Sequence, residues 1–312
     1  MAKRRVIGIG ETILDIIFQN NQPTAAVPGG SSFNGLISLA RLGVDTTLVT
    51  EIGDDRVGKQ ILDFMKENQV NTNYITQYPE RKSPLSLAYL NSSNDAEYTF
   101  YKDYPDQRLT EDFPRFTKQD IVIFGSYYAL NNALRDRILS FLEEAQKADA
   151  IIYYDPNFRS SHIGEALRLT PEIIENLEYA DIVRGSDEDF DNMWNLSDPE
   201  KIYVDKVAFY CKNMIMTQGG KGPILQTSHF KKHYDVNQID VVSSIGAGDN
   251  FNAGILYGLL QKNIYKEDLN ELSISDWDDI ISHGIALGGE VCKHFSNSIS
   301  KEWANNYKNK SK

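Results

Sequence analysis

The sequence predicts an α/β fold in which a mostly parallel central sheet carries helices on both faces and a small second β-sheet projects from the body. Three observations predict it. Short apolar runs rich in β-formers alternate with amphipathic stretches along most of the chain, which is the rhythm of βαβ units. Two segments, residues 16–28 and 85–102, break that rhythm with strand-like runs and no helical pattern. With 312 residues, 41% apolar and 24% charged, the chain can bury a large core. A single body over residues 1–312 is expected, with a β lid formed by about 16–34 and 84–108.

In chain order, Val6–Ile9 is a strand, Phe33–Arg41 a helix, Thr47–Thr50 a strand and Gly58–Asn68 a helix with Ile61, Leu62 and Met65 on one side. Residues 16–28 read as strand, Gln-Asn-Asn-Gln-Pro turn, strand. Leu85, Leu87 and Tyr89 alternate ahead of a turn at Asn91–Asp95 and the Tyr98–Lys102 run. A hairpin alone is marginal in water, so the two pieces are expected to pair into one sheet. The βα rhythm continues through Ile121–Phe124, the helical stretch Ala133–Lys147, Ile151–Tyr154, Asp181–Val183, Val204–Cys211, Met214–Thr217 and helices starting near Asp249 and Asp276. The last dozen residues, rich in Lys and Asn, are expected to fray.

Composition removes whole classes of function. Lys and Arg number 32 against 44 Asp and Glu, a net charge of −12, which gives no electrostatic footprint for a nucleic-acid backbone or an anionic membrane. An anionic ligand would have to be held by local backbone amides and a cation. Two cysteines, Cys211 and Cys292, without a C-x-x-C pair, and only five histidines argue against a disulfide framework or a structural zinc site and favour a reducing cytoplasm. Glu11 and Asp15 interrupt the apolar stretch after the basic start, and no apolar run reaches the ~18 residues of a membrane span. His229 and His233 are four apart in a strand-like region, where they would not share a face as metal ligands do.

The most informative stretch runs from Ser243 to Gly254. Gly246, Ala247 and Gly248 form a small-residue loop opening into a helix that carries Phe251, Ile255, Leu259 and Leu260 inward. Helix N-termini leave amide N–H groups unpaired and partly positive, and small residues let a phosphate approach them. Asp249, in the first turn, could take a proton from an alcohol beside that phosphate. The string alone reads equally well as a turn followed by a helix-start acid.

The rest of the chain favours the first reading. Gly246-Ala247-Gly248-Asp249 resembles the second signature of the ribokinase-like, or PfkB-type, carbohydrate kinases. Gly29-Gly30-Ser31-Ser32-Phe33-Asn34 and Ala40-Arg41-Leu42-Gly43 are similar to the first, with Gly53-Asp54-Asp55 and Gly58 following. Gly10-Glu11 with Asp15, Asp155-Pro156-Asn157-Phe158-Arg159, Ser186-Asp187-Glu188-Asp189 and Thr217-Gln218-Gly219-Gly220-Lys221-Gly222 match further motifs in the right order, from about residue 6 to 290.

The resemblance implies a ribokinase-like fold and transfer of the γ-phosphoryl group of Mg·ATP to a sugar primary hydroxyl, with Asp249 as base and the Gly246–Gly248 amides as anion hole. It implies that Asp15, Gly29, Gly30 and Asn34 hold the sugar, and that Thr217, Gly219 and Gly222 line the nucleotide with Gly246 and Gly248. Arg159 would face a transferring phosphoryl group or a substrate phosphate, or stand as a surface residue. Asp189 would order the water shell of Mg²⁺, although Ser-x-x-Asp is also a capping box. Ser243 replaces the signature's leading Asp, which puts K⁺ activation in doubt. Fructose is favoured by the Asp155–Arg159 string and the Gly10-Glu11 opening, with ribose, 2-keto-3-deoxygluconate or a nucleoside as alternatives. A homodimer through the lid is a further expectation. A non-catalytic sugar- or nucleotide-binding regulator is the reading from another class.

Overall fold

Chain order and hydrophobic pattern translate into 13 strands and nine α-helices in the computed structural model, which describes residues 4–90 and 96–310. They run β1 (Arg5–Ile9), β2 (Ile13–Gln19), β3 (Gln22–Gly29), α1 (Ser31–Arg41), β4 (Asp45–Gly53), α2 (Arg56–Glu67), β5 (Ile75–Tyr78), β6 (Leu85–Leu90) and β7 (Ala96–Tyr101). Next come β8 (Ile121–Gly125), α3 (Arg135–Lys147), β9 (Ile151–Asp155), α4 (Thr170–Tyr179), β10 (Ile182–Ser186), α5 (Asp187–Trp194), α6 (Pro199–Ile202) and β11 (Asn213–Thr217). The chain closes with β12 (Ile224–Gln226), β13 (Lys231–His233), α7 (Ala247–Gln261), α8 (Ile274–Val291) and α9 (Lys301–Lys310).

Nine strands form one sheet in the order β13-β12-β11-β10-β9-β8-β1-β4-β5. Neighbours from β11 to β5 are parallel, whereas β12 pairs antiparallel with β11 and β13 antiparallel with β12, so β12 alone is reversed. Strands β1, β8 and β9 carry apolar residues on both faces because both faces are covered. Val6 packs with Phe33, Leu36, Ile255 and Trp277 of α1, α7 and α8. The next residue, Ile7, packs on the opposite face with Phe141, Ile173 and Phe190 of α3, α4 and α5. Among the described residues no helix is long and apolar enough to cross a membrane.

The two pieces outside the βα rhythm pair as expected, into a four-stranded sheet of order β3-β2-β6-β7. Asn20 and Asn21 turn the β2–β3 hairpin with φ of 53° and 59°, a left-handed pair that favours Asn. Pro23 falls on the edge strand, where its missing N–H costs no ladder bond. The sheet begins at Ile13 and leaves at Gly29, so residues 31–34 belong to α1. The turn at Asn91–Asp95 lies outside the described residues.

Two expectations are corrected. Val204–Cys211 is not a strand: Tyr203–Val207 forms a π-helical turn, with Tyr203, Val207 and Cys211 buried at intervals of four while Val204 is 63% exposed. A strand would have buried alternate residues instead. The C-terminal stretch does not fray over 301–310. Trp303 stacks on Tyr307 at 4.5 Å, the Tyr307 hydroxyl meets His283 Nδ1 at 2.7 Å, and Lys308 Nζ donates to the Arg41 carbonyl at 3.2 Å. This aromatic stripe at helical spacing anchors α9. Ser311 and Lys312 lie outside the described residues.

Candidate active site

Open parallel sheets present their ligand sites beyond the carboxyl ends of the strands, and four predicted motifs follow such ends: Gly10-Glu11 after β1, Asp155–Arg159 at β9, Ser186–Asp189 at β10 and Thr217–Gly222 at β11; the Gly246 loop leads into α7. Glu11 ties the small sheet to this rim, accepting from Tyr104 Oη at 2.6 Å and Lys102 Nζ at 2.8 Å.

Gly246 precedes α7 with φ of 77°, and a Cβ there would sit 2.9 Å from the Asn297 carbonyl oxygen. Only glycine fits both the conformation and the gap. The Ala247 amide is committed to the Ser244 carbonyl at 3.2 Å and Asn250 N to the Gly246 carbonyl at 3.0 Å. Among the described residues, the Gly248 and Asp249 amides have no such partner. The donors left for an anion thus sit one residue further into the helix than Ala247.

Asp249 is buried, and its Oδ2 accepts from Asn34 Nδ2 at 2.8 Å. That single bond joins the α7 loop to the first turn of α1, so two residues 215 positions apart meet as the motifs require. Burial pushes the Asp249 carboxyl up to about 7; Asp155 reinforces the shift, while the Asn34 bond, Arg159 and Arg184 oppose it. A base poised near neutrality suits proton removal from an alcohol.

Asp15 converges on the same place. A Cβ on Gly29 would lie 2.6 Å from Asp15 Oδ2, 3.2 Å from Asn297 Nδ2 and 3.7 Å from Asn34 Oδ1. Gly29 is therefore what lets the backbone lie against these polar groups. Gly30 takes φ of 137°, and a Cβ on it would collide with the Glu11 carbonyl at 2.2 Å. Asp15 Oδ1 accepts from the Ser86 hydroxyl of β6, and burial lifts the carboxyl to about 6.

The remaining sequence candidates divide. Arg159 is exposed, pairs with no carboxylate among the described residues, and draws both Asp155 and Asp249 downward by its field. Asp189 makes the capping box of α5: its Oδ2 accepts from Ser186 N and Ser186 Oγ, each at 2.7 Å, while Ser186 Oγ accepts from Asp189 N at 3.0 Å. Thr217 Oγ1 accepts from Arg184. Gly219 faces open space, whereas Gly222, with φ of 86°, is required by the Tyr234 carbonyl 2.0 Å from where its Cβ would be. Ser243 Oγ accepts from Ile245 N at 3.2 Å, so a loop turn occupies it. His229 and His233 are exposed, and no described cluster of three or more His, Cys, Asp and Glu side chains is arranged to hold a metal.

Sequence reasoning missed a buried polar network beneath the loop. Arg184 is only 6% exposed; Nη1 donates to Asp155 Oδ2 at 3.2 Å and Nη2 to Thr217. A Cβ on Gly248 would lie 2.8 Å from Arg184 Nη1, so the guanidinium abuts the loop itself. Asn252 Nδ2 donates to the same Asp155 oxygen and Asn252 Oδ1 accepts from Tyr153 Oη at 2.9 Å. Asn250 Nδ2 donates to the carbonyls of Gly246, at 2.7 Å, and Asn297, at 2.9 Å. The signal was present as Arg184 inside an apolar strand run and as paired asparagines one turn after the glycines.

Comparison with known proteins supplies the name for this arrangement: residues 4–302 match the model of the pfkB family carbohydrate kinases. The chain belongs to that family. As a pfkB carbohydrate kinase it is a phosphotransferase with an alcohol acceptor, on the ribokinase-like α/β fold. It is 28% identical over 264 residues to probable fructokinase-6, chloroplastic, of Arabidopsis thaliana, covering 80% of this chain and 69% of that one. It is 26% identical over 246 residues to a 5-dehydro-2-deoxygluconokinase of Bacillus anthracis, covering 75% and 74%. The crystal structure of a Vibrio cholerae O395 fructokinase in its fructose, ADP and calcium ion bound form superposes with a TM-score of 0.84 at 19% identity, over 97% of this chain and 98% of that one. That pfkB fold places the α7 loop, Asp249 and Asn34 in one buried corner.

Proposed function

We propose that this pfkB kinase transfers the γ-phosphoryl group of ATP to the primary hydroxyl of fructose, with Asp249 as the general base. The bond from Asn34 Nδ2 to Asp249 Oδ2 carries the reading, because it puts a sugar-binding amide against the proposed base. Asp15 and Asn34 hold hydroxyls, Gly29 and Gly30 let the backbone close on them, and Asp249 takes the acceptor proton as the oxygen attacks. The Gly246–Gly248 loop, in particular the Gly248 amide, with the Asp249 amide beyond it, receives the transferring charge at the start of α7, where the helix field is favourable. Arg159, exposed and without a carboxylate partner among the described residues, faces the phosphoryl or a substrate anion. Thr217 and Gly219 lie on the nucleotide side, and Gly222 supports that loop. The small sheet acts as a lid that excludes water, and an edge of it offers a surface for a homodimer.

Phosphoryl transfer asks little covalent chemistry of the protein, and Mg²⁺ would supply charge neutralisation on the phosphates. Asp189 suits an ion that keeps most of its waters: Oδ2 is spent on the cap and Oδ1 makes no hydrogen bond with a described residue. Ser243, engaged with Ile245, leaves no carboxylate for K⁺. ADP release from Mg·ATP, assayed with fructose, ribose, 2-keto-3-deoxygluconate and adenosine and repeated without K⁺, tests this. Fructose turnover indifferent to K⁺ is expected; silence across the panel with ATP still bound would favour a non-catalytic binding protein. A keto sugar acid is the second reading, favoured by Arg159, which has no carboxylate partner among the described residues, and by the Bacillus relative. Replacement Asp15→Ala should raise the sugar KM by about 10- to 100-fold, the weight of a charged hydrogen bond, and leave the ATP KM nearly unchanged. Equal losses for both ligands would make Asp15 a structural group.

A further inference from the structure

Asn297 lies between α8 and α9, outside every sequence motif of the site, yet it is 4% exposed and touches both halves of it. Its two ends do different things. The main-chain carbonyl accepts from Asn250 Nδ2 at 2.9 Å and closes over Gly246, leaving no room for a Cβ. The side-chain amide points the other way: Nδ2 stands 3.2 Å from where a Gly29 Cβ would be, on the same small space as Asp15 Oδ2 at 2.6 Å.

That amide makes no hydrogen bond with any described residue. A primary amide has two donors and two acceptor lone pairs, and the nitrogen and oxygen of this one are not sealed from solvent, so they stay open to a ligand. Neighbouring buried amides are all engaged: Asn34 with Asp249, Asn250 with Ser38 and two carbonyls, Asn252 with Asp155 and Tyr153. A sugar hydroxyl both donates and accepts, so a carboxylate acceptor beside an amide donor suits two hydroxyl groups of a neutral polyol.

We infer that Asn297 is a further acceptor-binding residue, whose Nδ2 donates to a sugar hydroxyl oxygen beside the one held by Asp15. The inference rests on the sugar-kinase reading for the identity of the ligand. It also gives the α8–α9 segment a purpose: one residue reads the sugar with its side chain and braces the anion-binding loop with its backbone.

The experiment compares wild type, Asn297→Ala and Asn297→Asp by steady-state kinetics with fructose, by calorimetric titration of fructose without nucleotide, and by thermal melting. Asn297→Ala keeps the carbonyl that Asn250 uses, so it isolates the amide. It should raise both the fructose KM and its Kd by about 3- to 10-fold, the weight of one neutral hydrogen bond, with the ATP KM and kcat within about twofold of wild type. Asn297→Asp should bind fructose more weakly still, because a second acceptor then faces Asp15. Unchanged fructose KM and Kd in Asn297→Ala would overturn the inference, and so would equal rises for both substrates with a lowered Tm. A wild type that binds fructose without turning it over would defeat the kinase reading while the titration still decides on Asn297.

Discussion

Asp249→Ala is expected to lower kcat by about 10²–10⁴-fold, the usual range for loss of a general base, while the fold and ATP binding persist. The carboxylate is the group that can take the acceptor proton at the Asn34 contact, and Asn34 can only hydrogen-bond. Asp249→Asn should do the same with even less disturbance, since it keeps the volume. Because burial holds the carboxyl near 7, kcat/KM of the wild type should fall as pH drops below about 7. The stability effect has the opposite direction. A carboxyl raised on folding favours the protonated state, so its contribution is fully present below the ordinary aspartate value of 3.8 and is lost as pH rises through about 7. Asp249→Asn should flatten that part of the melting-temperature profile, and an unaltered profile would count against so high a value.

Arg184→Met is expected to cost about 3–5 kcal/mol of stability, because it leaves the buried Asp155 without its cation. Chemical denaturation measures it. The pairing explains why a buried cation sits in the middle of β10: its guanidinium joins β9 through Asp155 and β11 through Thr217, and abuts Gly248. Adding Asp155→Asn to Arg184→Met should recover much of the stability by removing the unpaired charge. Activity should stay low in the double variant, since the loop loses its support at Gly248. Restoration of both would reduce Arg184 to a structural pair.

The parallel sheet and both helical layers were legible because a doubly covered strand must be largely apolar and a covering helix must carry one apolar face. The acceptor and loop motifs were legible because glycine at 29, 30 and 246 answers a steric demand that no other residue meets. What escaped has a common cause. Arg184 lies in a strand whose pattern says only that it is buried, and its partners come from β9 and β11. Asn297 stands in a Ser-Asn-Ser stretch that reads as a loop, and its importance arises solely from contacts with Gly246 and Gly29. The π-helical turn at Tyr203–Val207 passes for a strand because valines 204 and 207 suggest one when the four-residue spacing to Cys211 is overlooked.

Transfer of label is the most direct test of the central claim. Incubation of the protein with ATP labelled at the γ-phosphate and with fructose should yield labelled sugar phosphate in wild type, little free phosphate, and neither product at a comparable rate in Asp249→Asn. Labelled sugar phosphate formed by Asp249→Asn at the wild-type rate would contradict the role given to Asp249; label appearing only as free phosphate would contradict transfer to the sugar.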